Sequence, residues 1–135
     1  MSKNSYLVLE NYIGGKFVPS RSHIDSYDPS TGEVYCKVPD SAEEEVEAAV
    51  AAAKEAFPAW SDRSPEQRAQ VLNKLADLME ANLEQFAQAE SRDQGKTVTF
   101  ARTVDIPRSV HNFRFFASSV RHHTTDCSQW ITWAA

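Results

Sequence analysis

At Ser41 the apolar pattern of this chain changes its period, and that change fixes the class of fold open to it. Before it, side chains alternate as they do along strands. After it, they recur every three to four positions, as on helices. A block of strands followed by a block of helices predicts an α+β arrangement, not a series of alternating βα units.

In the first block, residues 6–9 and Asn11-Tyr12-Ile13 read as extended. Gly14-Gly15 supplies a tight turn and Lys16-Phe17-Val18 returns, which predicts a hairpin. A third strand is expected over 24–27. It runs into Asp28-Pro29-Ser30-Thr31-Gly32, where Pro fixes φ, Asp and Ser bond nearby backbone, and Gly permits positive φ. Residues 33–38 follow as a strand with Val34, Cys36 and Val38 on one face, so Cys36 reads as a small core residue.

The helical block opens on Ser41 and Glu44, spaced as a capping box. Val46, Ala49, Val50, Ala53 and Phe57 form one apolar face, and Pro58 is expected to help end the helix. Asp40, Glu43, Glu44, Glu45 and Glu47 complement its dipole, which accounts for the acidic run without a metal or partner. A second helix starts at Ser64-Pro65-Glu66-Gln67 and buries Leu72, Leu75, Ala76, Met79 and Leu83. Asn82 is a place to restart it and Gly95 a place to stop. A third helix is expected over 98–122, kinked or restarted at Asp105-Ile106-Pro107.

The chain's 135 residues suit one modest domain. With 14 basic against 19 acidic side chains it carries −5 at pH 7, which argues against a nucleic-acid partner. Arg102, Arg108, Arg114 and Arg121 are expected to point different ways around their helix, as solvated charges or in local ion pairs and not as a phosphate-binding stripe. No apolar run approaches the about 18 residues of a membrane span, and residues 1–4 carry neither a signal core nor Met-Gly. A cytoplasmic protein with two free thiols, Cys36 and Cys127, is the expectation.

Gln94-Gly95-Lys96-Thr97 looks like the end of a phosphate-binding loop, but the preceding glycine such a loop needs is Glu90, inside a helix. His111, His122, His123 and Cys127 lack the spacing of zinc sites. There is no GxGxxG, GxSxG or HExxH.

Several segments, taken in order, go further. Tyr12-Ile13-Gly14-Gly15-Lys16-Phe17-Val18 resembles the opening hairpin of the aldehyde dehydrogenase superfamily. Asp28-Pro29-Ser30-Thr31-Gly32-Glu33 resembles its N-P-x-T-G-E turn, with Asp in place of Asn. The segment 45–57 with Trp60 is similar to its first helix, and Arg68, Leu72 and 75–78 to its second. Glu90-Ser91-Arg92-Asp93-Gln94-Gly95-Lys96 fits its E-x-x-D-x-G-K run, and Asp105-Ile106 with 113–117 its third helix. Within the family, 105–110 and 112–119 most resemble the branch that oxidises 2-aminomuconate semialdehyde in tryptophan breakdown.

The resemblance implies an incomplete part of the NAD-binding, Rossmann-like domain. It also implies an oxidoreductase that turns an aldehyde into a carboxylate with NAD(P), works on a small aldehyde substrate, and forms a homo-oligomer. Cysteine thiolate, oxyanion donors and a general-base Glu belong to later parts of that family, so no catalytic or cofactor-binding residue is assigned here, and NAD is not expected to bind this stretch alone. Some members hold a structural monovalent cation, and the matching positions are the carbonyls of Ser26 and Tyr27 and the side chain of Asp93. Residues 1–129 read as the N-terminal part of the dehydrogenase domain and 130–135 as a divergent tail. One nucleotide lost from codons for Met-Asp-His-Leu-Gly-Cys yields the Trp-Ile-Thr-Trp-Ala-Ala found there, so a frameshift, altered splice or gene-model error is expected. A truncated, inactive chain with exposed apolar helix faces, able to associate with full-length subunits, is the expected outcome.

Overall fold

The computed structural model describes residues 7–124. The expectations for Tyr6, for Cys127 and the rest of 125–129, and for the tail 130–135 lie outside the described residues.

Five short strands come first: β1 (Leu7–Val8), β2 (Asn11–Ile13), β3 (Lys16–Val18), β4 (His23–Tyr27) and β5 (Val34–Pro39). Strands β2 and β3 form the predicted hairpin, with Tyr12 opposite Phe17 and their rings edge-on at 5.1 Å. The turn needs positive φ at both central residues, and Gly14 and Gly15 supply 59° and 80°. The other three strands make a separate sheet in the order β1-β5-β4, with β1 parallel and β4 antiparallel to β5. Its central place in that sheet buries the middle of β5, and Cys36 is 2% exposed.

Helix α1 (Glu43–Ser61) differs from expectation at both ends. Its N-cap is Ala42, whose N–H donates to Glu45 Oε2 at 2.9 Å, so the Ser41/Glu44 box is displaced by one residue. Ser41 is engaged elsewhere, since its hydroxyl exchanges hydrogen bonds with the Asn11 side chain of β2 at 2.9 and 3.2 Å. Pro58 lies inside the helix instead of ending it. The carbonyl that proline leaves without a donor belongs to Lys54, on an exposed flank where water can serve it. The turn then closes on Pro58 O, which accepts from Asp62 N–H and from the Ser61 hydroxyl.

Helix α2 (Pro65–Ala81) starts as predicted, with Ser64 and Gln67 exchanging both capping-box hydrogen bonds. Asn82 separates it from α3 (Leu83–Gln94). The Asn82 side chain donates back to Leu78 O, so it closes α2 and does not cap α3. Gly95 ends α3 in the left-handed region at φ 72°. After α4 (Val98–Phe100), residues Ala101–Asp105 form a π-turn and α5 (Ile106–Ser119) follows, ending three residues before the expected His122. The widened turn stands where a break was expected. Pro107 has no N–H for Thr103 O, and Ile106 N–H instead reaches back five residues to Ala101 O.

Packing is carried by small side chains. Among the described residues the buried apolar ones are Cys36, five alanines (Ala69, Ala76, Ala87, Ala101, Ala117), Ile106 and Val110. Helices α2 and α5 share the broadest contact, and Ala87, Ala101 and Ile106 form a cluster flanked by Leu83. Of the face predicted for α2, Ala76 is fully buried, Leu72 and Met79 are half-buried and Leu75 is 39% exposed. On α1, Val46, Val50 and Phe57 are all exposed.

Three of the arginines form ion pairs as expected, but with partners on other elements. Arg114, on α5, and Arg121, two residues past its end, both reach acidic side chains of α2. Arg114 donates to Asp77 and Glu80, and Arg121 to Glu66. Arg102 forms a fork on Glu84 of α3 at 2.6 and 2.8 Å. These pairs tie helices together and are not local in sequence.

Candidate functional site

Two of the sequence motifs, about 60 residues apart, meet at one place. The Asp28 turn holds itself: Asp28 Oδ1 accepts from Ser30 N–H and hydroxyl at 2.9 and 2.6 Å, and Asp28 O accepts from Gly32 N–H at 2.8 Å. That turn sits against the end of α3, where a Cβ on Gly95 would come within 3.0 Å of Pro29 Cβ. Arg92 joins the two parts, with Nε 3.5 Å from Asp28 Oδ2 and its guanidinium 4.7 Å from the Tyr35 ring centre. From β5 the Tyr35 hydroxyl donates to Asp93 Oδ1 at 2.7 Å, and Gln94 Nε2 donates to Oδ2 at 2.8 Å. Lys96 then bridges Glu90 at 2.9 Å and Asp105 at 2.8 Å, fastening α3 to the π-turn.

The charges follow from these contacts. The Tyr35 hydrogen bond, then that of Gln94, holds the Asp93 carboxyl below its ordinary range. The same bond pushes the Tyr35 phenol up, with the Ser26 side chain acting the other way. Asp105 and then Glu90 raise Lys96, while burial pushes the Cys36 thiol up. A buried, protonated thiol is a poor nucleophile, which fits the reading of Cys36 as a core residue.

Of the three positions singled out for a cation, Ser26 and Asp93 are brought to the same tyrosine. Ser26 pairs with Cys36 across the sheet, beside Tyr35. Tyr27 follows at a shift of register between β4 and β5 and is 57% exposed. Tyr35 is the residue that no motif singled out, and Lys96, named within two motifs, was not expected to bridge Glu90 and Asp105. The signal for Tyr35 was its alternation with Cys36, which sends it to the sheet face opposite the cysteine. Among the described residues no group of three or more His, Cys, Asp or Glu could hold a metal ion, and no helix is long and apolar enough to cross a membrane.

Next to this junction is an apolar groove of about 530 Å³, lined by Leu7, Leu9, Cys36, Phe86, Ala89 and Ile106 and bordered by Glu90, Arg92 and Asp93. The junction's contacts join a turn, a sheet and a helix end.

One ion pair gives a pH test of this scaffold. Arg102, then Gln88, lowers Glu84 from an ordinary 4.5 to about 2. A carboxyl whose folded value lies below its unfolded one stabilises fully above the unfolded value, and that contribution is lost as pH falls through the folded one. The melting temperature should therefore drop between pH 4.5 and about 2. Glu84→Gln should flatten that part of the profile, and added salt should shrink the difference between the two proteins. Identical profiles for variant and wild type would show that the fork on Glu84 carries no stability.

Comparison with known proteins gives a consistent result. The sequence pattern of the "Aldehyde dehydrogenase family" matches residues 17–132. A 2-aminomuconic semialdehyde dehydrogenase of Danio rerio is 77% identical over 130 residues, covering 96% of this chain and 27% of that protein. Among solved structures, a putative aldehyde dehydrogenase from Burkholderia cenocepacia superposes with a TM-score of 0.86 at 35% identity, over 94% of this chain and 26% of that one. An NAD+ complex of an aldehyde dehydrogenase from Bacillus cereus gives 0.78 at 36%, over 82% and 23%. The chain spans about a quarter of the length of the relatives it matches.

Proposed function

Because this chain belongs to the aldehyde dehydrogenase family, we propose that it forms the N-terminal part of an NAD(P)-linked enzyme that oxidises 2-aminomuconate semialdehyde to the carboxylate, and that it supplies scaffold and no chemistry. The observation that carries this reading is 77% identity to an enzyme named for that substrate over only 27% of its length. The named substrate supports a place in tryptophan catabolism, and the cytoplasmic homo-oligomer of this proposal rests on the family resemblance alone.

Aldehyde oxidation needs a nucleophile, an oxyanion site, a hydride acceptor and a base for water. In this reading all four belong to the remainder of the enzyme. The described residues do not fit a dinucleotide: no glycine-rich turn leads from a strand into a helix, and Arg92 and Lys96 are engaged by acidic partners. No catalytic step is assigned to them. A structural monovalent cation is a better fit. In its support, the register shift at Ser26 and Tyr27 interrupts the ladder at their carbonyls, and Tyr35 links the Ser26 side chain to the Asp93 carboxylate.

The purified 135-residue chain, given NAD and an aldehyde, should show no rise in NADH absorbance. Turnover above the protein-free rate would overturn the scaffold reading. A second reading is favoured by the exposed Val46, Val50 and Phe57 of α1: a non-catalytic chain that associates with full-length dehydrogenase subunits.

A further inference from the structure

We propose that two copies of this chain dock reciprocally, each laying its helix α1 in the open groove on α2 of the other. Both faces belong to the chain itself, so the contact stands whether or not the functional reading above holds.

The two faces are unmatched within one chain. On α2, Val71, Leu75 and Leu78 are between 39% and 49% exposed and line a shallow groove of about 660 Å³ with Arg63 and Lys74. This face lies about 150° round the helix from the buried Ala69 and Ala76, so the packing on α5 leaves it open. On α1, Val46, Val50 and Phe57 recur on one side at helical spacing and are between 46% and 64% exposed. Helix α1 buries no residue, and what it rests on is β2.

Charge selects the occupant. Every charged residue lining the α2 groove is basic. Among the described residues Lys74 has no acidic partner, and Arg63 stacks on Trp60 at 5.6 Å without one. The α1 stripe begins between Glu43 and Glu47, which have no basic partner among those residues. An apolar groove beside unpaired cations accepts an apolar stripe beside unpaired carboxylates. Each copy carries both halves and leaves both open.

Position along the helices agrees. Groove and stripe approach each other at the corner between α1 and α2, where Arg63 lines the groove and stacks on Trp60. A two-fold axis at that corner sets the end of one α1 against the start of the other α2. At about 1.5 Å per residue, Val50 and Val46 lie about 17 and 23 Å from the end of α1, and Leu75 and Leu78 about 15 and 20 Å from the start of α2. Val50 then meets Leu75, Val46 meets Leu78, and Glu47 comes within reach of Lys74, once in each half of the dimer.

Sedimentation velocity of the 135-residue chain at about 100 μM in low salt should show a dimer, shifting toward monomer in about 0.5 M salt. Leu75→Asp with Leu78→Asp should give a monomer, because charge would be buried in both contacts. Phe17→Asp, exposed on the hairpin and outside the groove, should leave the dimer unchanged. Glu47→Lys alone and Lys74→Glu alone should each weaken self-association about tenfold, since each homodimer then faces like charges twice. An equimolar mixture of those two variants should dimerise as wild type does, because opposite charges meet in both contacts. Both substitutions fall on exposed positions, so circular dichroism should match wild type and the mixture decides the matter even if the leucine pair unfolds. A wild-type chain that stays monomeric overturns the proposal, as does a mixture no tighter than its components. A monomer that instead captures a full-length dehydrogenase subunit through α1 would give the surface to the second reading above.

Discussion

Replacing Gly95 with alanine should destabilise the chain by about 2–4 kcal/mol, the sum of a conformational cost and a steric one. Gly95 has φ 72°, where an L-residue with a Cβ is disfavoured by about 1–2 kcal/mol. The new methyl would also lie 3.0 Å from Pro29 Cβ, closer than two such carbons can rest. Pro29 has little room to yield, because its turn is pinned on both sides by bonds to the Asp28 carboxylate and carbonyl. The internal control is Gly32→Ala. Gly32 has the same φ of 72°, but nothing lies within 4 Å of the place its methyl would take, so only the conformational part should appear. Urea midpoints of the two variants separate the contributions, and equal losses would mean that the contact between the Asp28 turn and α3 carries no stability.

That comparison also marks what could be read from the sequence. The hairpin at Gly14-Gly15, the Ser64–Gln67 box, the Asp28 turn and the Gly95 stop all depend on residues within five positions of each other, and all were legible. The failures share the opposite property. Ser41 does not cap α1 because Asn11, 30 residues away, takes its hydroxyl. Arg114 and Arg121 were expected in local ion pairs, but their partners, Asp77, Glu80 and Glu66, belong to another helix. The site shows the same division. Asp93 was visible as part of a motif, but Tyr35, which fixes its carboxylate, lies 58 residues away and belongs to no motif. Pro58 is a different case: its position was plain, but whether the helix survives it depends on solvent reaching Lys54 O, which is a fact of packing.

The same reasoning applied to the helix pair predicts that Ala76→Leu should cost about 1–3 kcal/mol, toward the upper end. Ala69 and Ala76 are seven residues apart on α2, and Val110 and Ala117 seven apart on α5, so each helix presents a stripe of small side chains along one face. All four are at most 4% exposed, on the two helices that share the broadest contact among the described residues. Three extra carbons at position 76 have no space to enter, so the helices must separate or the side chain must leave its rotamer. Separation would also pull Arg114 from Asp77 and Glu80, neighbours of Ala76 on the same helix. Ala76→Gly is the control, because it loses helix propensity of about 1 kcal/mol without forcing the helices apart. A double-mutant cycle distinguishes the two responses. If the helices separate, Arg114→Gln should matter less in the Ala76→Leu background than in wild type, since its bonds are already broken. If the two changes simply add, the leucine has been absorbed by its rotamer and the clasp between α2 and α5 is intact.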